Sequence, residues 1–253
     1  MLLKIFAFAI LSSMSIVSNG GTIRHNVEDS KYLEYAKDYH SVVKIYCVTN
    51  DEKNSTTFSF GSAVVIDAHW VLTAAHVVED AMHAHIVVDD KVILLDKIVK
   101  HPDFILGKIS ENDIAICYAK KEIDIPFYPA LYENDDETGK ICGIAGFGST
   151  GTGYTGENKI DNLRRAGSNK VDSVTGDIIF CTMSKQNYTS LEFCIAHGDS
   201  GGGLFIDGKL AGINSFVLAA DKKPDSSYGD ESAHTRVMKH NKWIKNIMKN
   251  LID

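Results

Sequence analysis

Cys194-Ile195-Ala196-His197-Gly198-Asp199-Ser200-Gly201-Gly202-Gly203 is the stretch on which the reading of this chain turns. A serine hydroxyl is a poor nucleophile unless a base removes its proton and donors stabilise the oxyanion that its attack creates. Glycines beside Ser200 let the backbone turn sharply and bring N–H groups against a reacting carbonyl. Taken alone, Gly198-x-Ser200-x-Gly202 fits a nucleophile-bearing turn, and equally a glycine-rich turn with no chemistry. Its partners elsewhere in the chain have to decide.

Outward from this stretch the sequence reads as β structure. Leu204–Ile206 and Leu210–Ser215 are apolar runs joined by Asp207-Gly208, a strong two-residue hairpin signal. Further runs at Val42–Val48, Thr57–Ile66, His85–Leu95, Asp113–Tyr118, Ile141–Ala145 and Val171–Cys181 are broken by Gly, Asn and Asp at close intervals. That pattern predicts an all-β barrel or sandwich. The persuasive helix is the last segment, Lys239–Leu251, where Trp243, Ile244, Ile247, Met248 and Leu251 recur at helical spacing. The acidic segment Glu133–Lys140 is the expected boundary between two halves.

Composition narrows the classes. With 253 residues and 44% hydrophobic content there is ample material for a core. A net charge of −7 without a Lys/Arg cluster argues against nucleic-acid partners. Lys4 followed by the apolar Ile5–Val17 and the small residues Ser18-Asn19-Gly20 predicts a cleaved signal peptide over 1–20. No later run is long enough to cross a membrane as a helix, so the mature protein is expected to be secreted, or periplasmic in a Gram-negative cell. Five cysteines are an odd count. Cys117 and Cys142 lie in apolar runs as small hydrophobes, and Cys181 and Cys194 flank a polar loop as the candidate disulfide.

Two further residues carry possible chemistry. His76 ends Gly61-Ser62-Ala63-Val64-Val65-Ile66-Asp67-Ala68-His69-Trp70-Val71-Leu72-Thr73-Ala74-Ala75-His76, where two alanines leave room around the imidazole. Asp113 stands at the mouth of the apolar run Ile114–Cys117, and a buried carboxylate needs compensating donors. Singly, each has a bland alternative: a structural histidine and a strand-initiating turn.

Together they have a precedent. Leu72-Thr73-Ala74-Ala75-His76, Asn112-Asp113-Ile114-Ala115-Ile116 and Gly198-Asp199-Ser200-Gly201-Gly202 resemble the three catalytic motifs of the trypsin/chymotrypsin-like serine peptidases, in that family's order. His101-Pro102-Asp103-Phe104, Gly146-Phe147-Gly148, Asn214-Ser215-Phe216 and Trp243-Ile244 are subsidiary matches, and the resemblance covers about residues 40–250. It implies two antiparallel six-stranded Greek-key β-barrels (a chymotrypsin-like fold) with a C-terminal α-helix. The expected division is signal peptide 1–20, N-terminal half 22–132, C-terminal half 133–238 and helix 239–253. The implied triad is His76, Asp113 and Ser200, with the N–H groups of Gly198 and Ser200 as the oxyanion hole. The implied reaction is peptide-bond hydrolysis through an acyl-enzyme, with no cofactor and no metal. Protein or peptide substrates, protein inhibitors and a monomeric state are the expected partners and assembly.

The resemblance also orders the substrate site. Cys194 falls at the pocket base, Val217 and Ser232 at walls where open-pocket members carry glycine, and His197, Ser215 and Phe216 beside them. Side chains at both walls predict small or medium apolar residues before the cut. The chain departs from the family at its start. No Arg/Lys-Ile-Val-Gly-Gly is present, so the activation switch Asp199 is expected to pair with an amine freed at Ile23 or with another cation such as Arg24. Val77 follows His76, where many members have a half-cystine, a departure typical of bacterial or otherwise divergent members.

Rival readings fare worse. The α/β-hydrolase elbow needs its acid and histidine after the serine, and a helix there; 53 residues and a hairpin follow Ser200. Gly146-Phe147-Gly148-Ser149-Thr150-Gly151 fits a dinucleotide fingerprint, but a flexible loop follows it in place of a helix. His83 and His85 with Asp89 or Asp90 make a weak metal pattern. Asn54-Ser55-Thr56 and Asn187-Tyr188-Thr189 fit the glycosylation sequon. The rival from another class is a catalytically silent protease-fold binding protein, which fold alone does not separate from an enzyme.

Overall fold

Alternating burial along the strands explains how this chain folds. In β2 (Val42–Asn50), Val43, Ile45 and Cys47 face one core while Val42 and Lys44 face the other side. The computed structural model describes residues 21–50, 55–107, 111–159, 161–186 and 188–251. The predicted signal segment 1–20 and the sequon residues Asn54 and Asn187 lie outside them.

The chain opens with β1 (Thr22–Ile23) and a short helix, α1 (Asp29–Tyr35). After β2 come β3 (Thr56–Asp67), β4 (Trp70–Thr73), β5 (His83–Val88), β6 (Lys91–Leu95), β7 (Lys97–Lys100) and β8 (Ala115–Tyr118). These form an antiparallel sheet in the order β6-β5-β2-β3-β4-β8-β7. The second half contributes β9 (Ile141–Gly146), β10 (Thr150–Thr152), β11 (Gly156–Lys159), β12 (Arg165–Lys170), β13 (Ser173–Thr175) and β14 (Ile178–Thr182). It continues with β15 (Phe193–Cys194), β16 (Gly203–Ile206), β17 (Lys209–Leu218) and β18 (Glu231–Arg236), then the helix α2 (Val237–Asn250). Its main sheet runs β12-β9-β16-β17-β18-β14-β13.

The expected architecture is therefore present as two curled antiparallel sheets and a terminal helix. Each sheet has seven strands rather than six, and a four-stranded sheet, β11-β10-β1-β15, is added. Two runs that read as single strands are hairpins. Asp89 and Asp90, at φ 45° and 63°, fold His85–Leu95 into β5 and β6, and Gly176 at φ 62° divides Val171–Cys181. Asp207 and Gly208 both have positive φ (50° and 72°), as a primed hairpin turn requires.

The halves exchange their ends. β1 lies parallel to β10 and antiparallel to β15, and Tyr32 of α1 is fully buried in the second half's core. β1 and Tyr32, within the expected first-half span 22–132, thus pack on the second half, while Ala36 joins the cluster that holds Trp70 and Leu72. Conversely, Val237 and Ile244 of α2 share a core cluster with Trp70, Leu72 and Ile116 of the first half. The Trp243 ring lies 5.0 Å from that of His101, and Lys97 Nζ donates to the Leu251 carbonyl at 2.8 Å.

All five cysteines are free and buried. The expected Cys181–Cys194 bridge is not formed, because the two residues belong to different sheets. Cys181 pairs with Ser232 on β18, and Cys194 with Thr22 on β1. The thiol beside Cys181 is that of Cys142, with Sγ atoms 3.9 Å apart.

Candidate active site

His76 sits in a 3₁₀ turn, Ala75–Val78, that begins where β4 ends. Asp113 precedes β8 and follows Asn112, whose φ of 66° turns the chain into the strand. The two meet across that gap. Nδ1 of His76 lies 2.7 Å from Asp113 Oδ2, and the His76 backbone N–H donates to Oδ1 at 3.0 Å. Ser215 Oγ also donates to Oδ2, and Thr235 Oγ1 donates to the Asp113 carbonyl at 3.0 Å. Asp113 is only 2% exposed. Burial pushes its carboxyl upward, but the bond and charge of His76, then the Ser215 hydroxyl and the His76 N–H, outweigh it and hold the group below the ordinary carboxylate value. An anion fixed at Oδ2 keeps the Nδ1–H tautomer and leaves Nε2 free to accept a proton.

Ser200 is held by a loop that both halves clasp. Ser62 of β3 donates its backbone N–H to the Ser200 carbonyl at 2.8 Å and its hydroxyl to the Gly198 carbonyl at 2.9 Å. Thr73 Oγ1 fixes Ser62 in turn by donating to its carbonyl at 2.8 Å. From the other side, Gly201 donates its N–H to the Asn214 carbonyl, and Asn214 returns one to Gly202, both at 2.8 Å. The Asn214 amide donates to the carbonyls of Ala145 and Asp199 at 3.1 and 3.2 Å, and its oxygen faces His234 Nδ1 at 2.9 Å. Burial lowers His234 to about 3, so it stays neutral and Nδ1 donates. Gly201 has φ 85°, and a Cβ there would fall 2.1 Å from both the Ser62 carbonyl oxygen and Thr73 Oγ1. Only glycine fits that crossing.

Ser200 Oγ donates to the Ser215 carbonyl at 3.3 Å, and no hydrogen bond joins it to His76. Ser215 therefore touches both the serine and, through its own hydroxyl, the acid. Catalytic hydrogen bonds are often long in enzymes without substrate. Among the described residues, no protein acceptor takes the N–H of Gly198 or Ser200. Two unsatisfied donors beside a serine hydroxyl are what a developing oxyanion needs.

Asp199 points the other way, into the protein, and is fully buried. Oδ2 accepts the N–H groups of Gly21 and Ala196, each at 2.8 Å, and Oδ1 that of Gly148 at 2.7 Å. No Lys, Arg or His side chain pairs with it among the described residues. Burial raises its carboxyl to about 7 despite those three donors. The group that reaches it is Gly21, not Ile23 or Arg24. Ile23 is paired in β1, and Arg24 donates to Asn26 and stacks 3.2 Å from the Tyr188 ring centroid.

A cavity of about 190 Å³ opens beside Ser200. His197, Ser215, Phe216 and Val217 line it, joined by Ala196 and Ser226. Cys194 and Ser232 do not line it: both are fully buried, which corrects their placement at its base and wall. Ser226 supplies the reason. Its Oγ donates to the Ile195 carbonyl at 2.7 Å and touches the Cys194 thiol, closing the floor above that residue. Glu157 steadies the rim by accepting the His197 N–H at 2.9 Å.

Sequence reasoning missed Ser62, Thr73 and Ser226. Nothing marks a strand hydroxyl as a clasp or a loop serine as a pocket floor. His83 and His85 gather no third ligand: among the described residues no group of three His, Cys, Asp or Glu side chains could hold a metal.

The family profile described as Trypsin matches residues 39–244. Kallikrein-1 of Mus musculus is 28% identical over 238 residues, covering 79% of this chain and 87% of the relative. Kallikrein 1-related peptidase b5 of the same species is 28% identical over 247 residues, covering 82% and 91%. The solved HL collagenase superposes with a TM-score of 0.66 at 18% identity, over 83% of this chain and 94% of that one. Neuropsin, a serine protease expressed in the limbic system of mouse brain, gives 0.62 at 19% identity, over 89% and 98%. These structural likenesses show the fold.

Proposed function

Because the chain belongs to the trypsin family and is a serine-type endopeptidase, we propose that His76, Asp113 and Ser200 are its catalytic triad, with the roles of the family's type enzymes. His76 takes the Ser200 proton as Oγ attacks the scissile carbonyl, and later gives it to the leaving amine. Asp113 fixes the imidazole tautomer and stabilises the cation. The Gly198 and Ser200 N–H groups hold the oxyanion, and water releases the acyl group by the same steps.

One observation carries this reading: the two unaccepted N–H groups stand on the same loop as a serine linked through Ser215 to the Asp113–His76 pair. Labelling of the purified protein by a serine-directed fluorophosphonate is expected, and it should vanish in Ser200→Ala. Absence of Ser200-dependent labelling in every processed form would overturn the proposal.

The activation switch follows from Asp199. Cleavage after Gly20, the predicted end of the signal peptide, converts the Gly21 N–H into an ammonium at the same 2.8 Å contact. Removal of the leader and activation are then one event in a secreted protein. Active protein is expected to begin at Gly21 on N-terminal sequencing, and full activity from a form beginning at Ile23 would refute the assignment. A pocket floored by Ser226 supports small or medium apolar side chains before the cut. Ser226→Gly should raise kcat/KM for the larger of these by about tenfold, the scale of one or two methylenes.

A further inference from the structure

Lys44 is a cation that the mechanism does not use. It projects from the middle of β2, opposite Ser62 on β3 and Val87 on β5, and is 6% exposed. Among the described residues no carboxylate pairs with it. Nζ donates to Asn162 Oδ1 and lies 4.4 and 5.2 Å from the ring centroids of Phe60 and Tyr46. Burial lowers its pKa, and no charge opposes that effect. Holding an ammonium there without an anion is costly.

Its position gives the missing anion a source. Phe60 packs on the Cα of Gly198: a Cβ on that glycine would fall 2.8 Å from Phe60 Cε2 and 3.5 Å from the Phe147 carbonyl oxygen. Phe147 also lines a cavity of about 560 Å³ that is bounded by Lys44, Tyr46, Asn162 and Arg164. The pocket at Ser215–Val217 takes the acyl side, so the Phe60–Phe147 side of Gly198 is left for the departing segment. Arg164 is already committed, donating to the carbonyls of Ala36 and Val42 at 3.1 and 2.9 Å and facing Asp89. Asp89 and Asp90 also line this cavity, and Asp89 faces Arg164. Lys44 is the cation left for a ligand.

We propose that Lys44 is a specificity-determining residue that receives an acidic side chain on the leaving-group side of the scissile bond, at the second residue after the cut. Two extended residues span about 6.6 Å, enough to pass from the oxyanion loop across the Phe60 ring. A glutamate carboxylate there replaces water around Nζ with a charge-assisted bond. The proposal rests on the peptidase reading above.

The test is a set of quenched peptides identical up to the cut, carrying Glu, Gln or Lys at the second position after it. The Glu/Gln ratio of kcat/KM is read within each protein, so differences in folded fraction cancel. The wild type is expected to favour Glu by about tenfold, Lys44→Arg to keep the preference, and Lys44→Met to bring the ratio to about one. A flat ratio in the wild type, or one that survives Lys44→Met, would overturn the proposal. An ester with no residue beyond the cut separates the two readings. If the wild type hydrolyses it while the peptide ratio is flat, this subsite falls alone; if it does not, the peptidase reading falls and takes the subsite with it.

Discussion

Asp113 and Asp199 are both buried carboxylates, the first joined to Ser200 through Ser215 and the second its neighbour in the chain, and they are held in opposite ways. Asp113 is met by an imidazole, a hydroxyl and a backbone N–H, and its carboxyl is pulled below the ordinary value. Asp199 is met by three backbone N–H groups and no cation, and burial lifts it to about 7. Desolvation is the largest influence on both, so the partners decide the sign. One acid is finished in the folded chain. The other has no cation paired with it among the described residues, and the proposed cleavage before Gly21 would supply one.

The sharpest way to break this contrast is to neutralise the finished acid. Asp113→Asn should lower kcat/KM by about four orders of magnitude, the scale set by the family's type enzymes, because the imidazole loses its tautomer control. A loss below tenfold in steady-state kinetics would remove Asp113 from the triad. Next in size is Asp199. One extra residue ahead of Gly21 moves the amine by about 3.3–3.6 Å and should cost about 10²–10³-fold, the effect of leaving a buried charge unpaired. Asp199→Asn should make activity indifferent to that extension, measured on the two forms side by side. Ser215→Ala removes one charged hydrogen bond from Asp113 and should cost about tenfold.

The smallest effect is on stability, and its sign differs between the two acids. A carboxyl raised on folding binds its proton more tightly in the native state, so stability falls as pH rises from 3.8 towards about 7. With Gly21 still in a peptide bond, Asp199 should lower Tm across that window by a few °C. A free Gly21 amine should flatten the slope. Asp113, lowered on folding, contributes stability that is lost only as pH falls through its depressed value. Parallel Tm–pH curves for the blocked and free forms would contradict the role given to Asp199.

Residues whose chemistry restricts their type were legible in the sequence. His76, Asp113 and Ser200, the proposed triad, stood out because their motifs resemble those of the family in its order, which also removed the rival nucleophile elbow, and the fold brings His76 to 2.7 Å from Asp113. Strand β12 was not legible. Arg165-Ala166-Gly167-Ser168-Asn169-Lys170 looks like a loop, yet it is a sheet edge whose Arg165 is buried against Asp29 and Asp161 at 2.6 Å each. Helix α1 hides for another reason: seven residues show too little periodicity, and one side chain, Tyr32, does most of its docking. Counting back from Ser200 put Cys194 in the pocket because such counting is blind to Ser226, which arrives from a separate loop. The cysteine pairing failed similarly, since spacing along the chain does not tell which sheet a strand joins.

The exchange of chain ends between the halves bears on what holds the enzyme in one piece. β1 and α1 lie on the second half, while α2 returns to the first, so each half carries part of the other's surface. A nick in the connecting segment 133–140 would therefore not release two separable fragments. The pieces would stay interlocked through those swapped ends, and Ser62 would still clasp the loop that bears Ser200. Two fragments made separately should recover hydrolysis only on reassembly, which makes turnover a reporter of fragment complementation.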